Sequence, residues 1–118
     1  MNQAAVDQVK NGHVVNVYWK NDDPNEPNVY KPRPVIILDK YSETYCLAVG
    51  ITDLDNIDLS KAKGIQVLKD SDIGKQMRLT KNSFVNFNDC KNIPTSAFIN
   101  LKGKCPNNFF DQVLKGCT

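Results

Sequence analysis

Hydrophobic positions along this chain fall into short runs separated by polar, Asn/Asp/Pro-rich stretches. His13 to Trp19, H-V-V-N-V-Y-W, is β-branched and aromatic and predicts a strand. Val35 to Leu38 is an unbroken aliphatic run, the signature of a strand buried on both faces. From Tyr45 to Thr52 the pattern alternates. Leu47, Val49 and Ile51 point one way, while Cys46, Ala48, Gly50 and Thr52 point the other. Gly50 inside that strand predicts a bulge or a close approach by another group. Ile65 to Leu68 and Ser83 to Phe87 predict two more strands, and Ile93-Pro94 opens a further extended piece toward Phe98 to Leu101.

Two helices are predicted. Ala4 to Lys10 carries a small apolar stripe and Gly12 stops it. Pro106 to Lys115 presents Phe109, Phe110, Val113 and Leu114 on one face, with Gly116 as the closing residue. Lys20 to Tyr30 reads as a long loop, a length that in a small domain is often functional. Tyr41 to Thr44 reads as a turn, Asp53 to Lys63 as a polar excursion, and Asp70 to Thr80 as a connector around Gly74. Six or seven short strands with a terminal helix predict a mainly β fold with helices, a small β-barrel. One domain over 1–118 is expected, with 1–11 as a short N-terminal helical extension.

Composition narrows the picture little. The formal net charge of +2 neither demands nor excludes a nucleic acid. No apolar run approaches the roughly 20 residues that span a bilayer, and the first ten residues lack a signal peptide's apolar core, so a cytoplasmic protein is expected. Cys46, Cys90, Cys105 and Cys117 are scattered without a C-x-x-C pair and His13 is the single imidazole, so no metal and no cofactor is expected. Reduced thiols are the reading.

Candidate chemistry starts at Lys31 to Asp39, K-P-R-P-V-I-I-L-D. Pro32 and Pro34 fix the backbone around Arg33, which makes it a stiffly presented cation suited to phosphate. In extended chain Lys31 projects to the same side. The order of glycine plus strand (Gly12 to Trp19), long loop, R-P plus aliphatic strand (Arg33 to Leu38), a strand ending I-T at Thr52, and a serine strand (Asn82 to Ile93) resembles the MazF/PemK (Kid) toxins. The resemblance implies an SH3-like barrel with a C-terminal helix. It also implies a type II toxin–antitoxin function: sequence-selective, metal-independent cleavage of single-stranded mRNA through attack by the RNA's 2′-hydroxyl. By that resemblance Arg33 and Thr52 are catalytic, Arg33 stabilising the phosphorane and Thr52 orienting the phosphate. Lys91 stands where the family often carries arginine and, with Lys31, would contact phosphate. Trp19, Tyr18 and Tyr30 border the loop, and Trp19 and Tyr30 would stack unpaired bases. Implied partners are single-stranded RNA, a cognate antitoxin protein with an acidic segment, and a second copy in a homodimer; no membrane is implied. The rival reading is a non-catalytic barrel of the same fold that binds RNA or, like the CcdB toxins, inhibits a DNA-processing protein.

Overall fold

A computed structural model describes residues 1–20, 25 and 28–118. The long loop expected over Lys20 to Tyr30 lies largely outside the described residues. Among the described residues six strands form one antiparallel sheet: β1 (His13–Lys20), β2 (Tyr30–Asp39), β3 (Tyr45–Asp53), β4 (Gly64–Val67), β5 (Ser83–Pro94) and β6 (Phe98–Lys104). Their order across the sheet is β4-β5-β3-β2-β1-β6. The described α-helices are α1 (Gln3–Gln8), α2 (Asp72–Gln76) and α3 (Asn107–Cys117). The mainly β class with a C-terminal helix is therefore as the pattern predicted. None of the described ladders closes the sheet, since β4 and β6 stand at opposite edges.

Alternation along the strands gives the sheet two buried faces. Val14, Ile36, Leu38, Val49, Ile51, Val67 and Val85 pack with Met77 and with Phe109 and Val113 of α3. Val15, Val17, Trp19, Val35, Ile37, Cys46 and Ala48 pack on the other side with Ile93, Phe98, and Val6 and Val9 from α1 and its cap. Because a helix covers each face, Val35 to Leu38 are buried without interruption.

Polar contacts finish the element ends. Asn2 caps α1 by accepting the Ala5 N–H at 2.8 Å. Gly12 takes a φ of +91°, a left-handed turn that glycine adopts freely, and links three segments. Its N–H donates to Ile37 and its carbonyl accepts from Cys105. The connector around Gly74 contains a helix that the pattern did not predict, α2, capped by the Ser71 hydroxyl on the Gly74 N–H at 3.0 Å. It ends in a Schellman-type turn: Leu79 N–H reaches back to the Gly74 carbonyl and Arg78 N–H to Lys75. Arg78 occupies the left-handed position, φ 57°, where glycine usually sits.

This connector also encloses the first core. A Cβ on Gly103 of β6 would lie 2.5 Å from the Met77 carbonyl oxygen, so edge strand and connector are in close backbone contact. Packing thus ties the β6 edge of the sheet to the connector.

Two other expectations are corrected. Ser83 to Phe87 is only the first part of β5, which continues to Pro94 because β3 pairs with it as far as Tyr45–Pro94. Gly116 does not close α3; it lies within the helix and is pressed against the Phe87 ring, where a Cβ would collide.

Candidate functional site

The site forms where β2 and β3 separate. Their ladder pairs Ile37 with Ala48 and Val35 with Gly50, then stops. Pro34 and Pro32 follow on β2, and neither has an N–H to give to a ladder. Carried two residues further, the same register sets Arg33 across from Thr52. Both residues line one cleft of about 350 Å³, together with Asp53, Lys81, Ser83 and Lys102. Lys102 lies on β6, three strands from β3 in the sheet order. Only a strongly coiled sheet brings those two strands to one cleft.

Arg33 and Thr52 are both half-buried. Among the described residues neither side chain has a hydrogen-bond or ion-pair partner, and both residues line the cleft. Asp53 adds a carboxylate beside Thr52. One of its oxygens accepts the Asp55 N–H at 3.1 Å, and the other lies 3.5 Å from Lys81 Nζ. The Lys81 side chain is 73% exposed, so this pair is weak and easily opened. Burial holds the Lys102 ammonium below the usual lysine range. Ser83 is buried and commits its proton to the Lys81 carbonyl at 2.8 Å. Among the described residues three cations and one carboxylate line this cleft, an arrangement that attracts anions.

The predicted RNA-contacting residues fall elsewhere and do not form one surface. Tyr30 and Lys91 line a second cleft of about 440 Å³ with Tyr18 and Lys20, and both tyrosines are more than half exposed. Lys31 is exposed at the start of β2 and lines neither cleft. Trp19 requires correction as a stacking residue. Its side chain is only 2% exposed and forms part of the second core. Lys91 lies over its ring at 4.1 Å from the centroid, and Asp89 sits 3.9 Å from that ammonium. A base would have to displace Lys91 to stack there.

Gly50 explains why this corner is tight. A Cβ there would meet Asp89 Oδ2 at 2.7 Å and the Trp19 ring at 3.5 Å. The close approach expected at Gly50 is thus present, while the bulge lies opposite it on β5: from Val49–Cys90 to Ile51–Val85, β3 advances two residues and β5 five.

His13 lies outside the main cleft, with its Nδ1 accepting the Lys10 N–H at 3.0 Å. Among the described residues no three His, Cys, Asp or Glu side chains converge as metal ligands, and no helix is long and apolar enough to cross a membrane. Reading the sequence missed Asp53, Lys81 and Lys102 as cleft residues. Only Asp53 carried a local signal, its position directly after Thr52. Fold and site define a mainly β protein with a cationic cleft at a split in its sheet. No known family model matches the chain, and no curated protein matches it significantly.

Proposed function

We propose that this chain is the toxin of a toxin–antitoxin pair, a homodimeric endoribonuclease of MazF/PemK type that cuts single-stranded mRNA. The supporting observation is the convergence of Arg33 and Thr52, distant in sequence, on one cationic cleft. In this reading the Asp53 carboxylate takes the proton of the RNA's 2′-hydroxyl, and the 2′ oxygen attacks the adjacent phosphorus. Arg33 stabilises the negative charge on the phosphorane with its planar donors, and the Thr52 hydroxyl orients the phosphate. Lys102, whose proton is loosened by burial, delivers it to the departing 5′ oxygen. The products are a 2′,3′-cyclic phosphate and a 5′-hydroxyl. An acidic antitoxin segment suits the same excess of positive charge.

One observation favours a second reading. The Asp53–Lys81 ion pair occupies the carboxylate that the reaction needs. If that pair persists with RNA bound, the cleft holds phosphate without cutting, as in a non-catalytic RNA-binding barrel or an inhibitor of a DNA-processing protein. Incubation with a long unstructured RNA in EDTA separates the readings. Discrete fragments ending in 2′,3′-cyclic phosphate support the nuclease; RNA that is bound but intact supports the binder.

A further inference from the structure

Cys90 follows the bulged stretch of β5, and Cys117 is the last residue of α3. The chain folds so that their sulfurs lie 3.0 Å apart, both as free thiols. Cys90 Sγ also approaches the Phe87 carbonyl at 3.4 Å. The Phe87 ring in turn presses on Gly116, so the last turn of α3 is seated directly on the bulge. Both cysteines are half-buried and therefore within reach of a small reagent, whereas Cys46 and Cys105 are buried and have no thiol neighbour among the described residues.

We propose that Cys90 and Cys117 form a reversible intramolecular disulfide that staples the end of α3 to β5. The sulfurs need to close by about 1 Å to reach bonding distance. The oxidant is a low-molecular-weight disulfide. One protein thiolate attacks it, forming a mixed disulfide and releasing one small thiol. The second protein thiolate then attacks the protein sulfur of that adduct and expels the other small thiol. The protein loses two protons and two electrons, and the reagent is reduced to two thiols. Burial first, and then the Cys90 thiol, pushes Cys117 up to about 12, so little thiolate is present at neutral pH and closure is slow. The staple would fix the bulge that carries Asp89, and with it the Lys91 cap over Trp19.

The test is incubation of the folded protein with oxidised glutathione at about pH 8.5, where thiolate is more abundant. Intact-mass analysis should show a loss of about 2 Da, and a non-reducing digest should join the Cys90 and Cys117 peptides. The melting temperature should rise by about 8–16 °C and return on reduction. Cys90→Ser and Cys117→Ser should each abolish the mass loss. A lasting glutathione adduct on either cysteine, or both thiols still alkylated after denaturation, would overturn the proposal.

Discussion

Lys91→Met is the substitution that best separates a structural role for this lysine from an RNA-contacting one. The ammonium stands 4.1 Å from the centroid of a ring that is 2% exposed, while the lysine side chain itself is 31% exposed. That places the cation–π contact between its exposed and desolvated limits, at about 1 kcal/mol. The Asp89 ion pair, long at 3.9 Å and partly open to water, adds at most about 0.5 kcal/mol. Methionine keeps much of the aliphatic stem, so the expected loss is about 1–1.5 kcal/mol. For 118 residues the unfolding entropy is about 0.25 kcal/mol per degree, which converts that loss to a fall of about 4–6 °C in Tm. Thermal and urea unfolding of Lys91→Met, Trp19→Phe and the double variant give the coupling directly. About 0.5–1 kcal/mol is expected, a phenylalanine ring being the weaker partner for a cation. No coupling and an unchanged melt, together with a steep loss of RNA affinity, would refute this reasoning and return Lys91 to phosphate binding.

Three further outcomes follow from single side chains. Burial first, then Lys104 and Lys10, hold the pKa of His13 below its ordinary value. The unfolded chain therefore binds the proton first, so stability should be full above about pH 6.5 and fall as the pH drops below it; His13→Asn should flatten that fall in urea titrations. Arg78→Gly should raise stability by about 0.5–1 kcal/mol, because the left-handed position at the end of α2 suits glycine, and urea unfolding measures it. Asp53→Asn should lower any RNA-cleavage rate by about 10²–10⁴-fold without lowering RNA affinity, whereas a purely structural Asp53 would lower rate and affinity together.

The strands that made the sheet legible are those with β-branched runs. His13 to Trp19, Val35 to Leu38 and Tyr45 to Thr52 owe their state to local composition, and the two faces of β3 follow from alternation alone. The later half of β5, N-D-C-K-N, has no such signal; β3 supplies its partner from Cys90 onward. The short helix α2 was hidden because D-I-G-K-Q places glycine at its centre. That glycine serves packing instead, since a Cβ there would strike the Leu68 carbonyl. Arg33 announced itself through its flanking prolines. Lys102 could not, because only the coiling of the sheet brings β6 to Thr52, and Lys81 reaches Asp53 only through the pairing of Ser83 with Asp53 across β3 and β5. Cys90 and Cys117, distant in sequence, are neighbours because α3 packs across β5.

Cleavage of a long unstructured RNA by wild-type protein and by Arg33→Ala and Thr52→Val, in EDTA and at equal folded concentration, is the decisive test of the proposed nuclease. Discrete cuts by the wild type are expected, with the rate reduced by at least about 10²-fold in Arg33→Ala and clearly reduced in Thr52→Val. Intact RNA with folded, antitoxin-free wild-type protein, or cutting that survives Arg33→Ala unchanged, would contradict it.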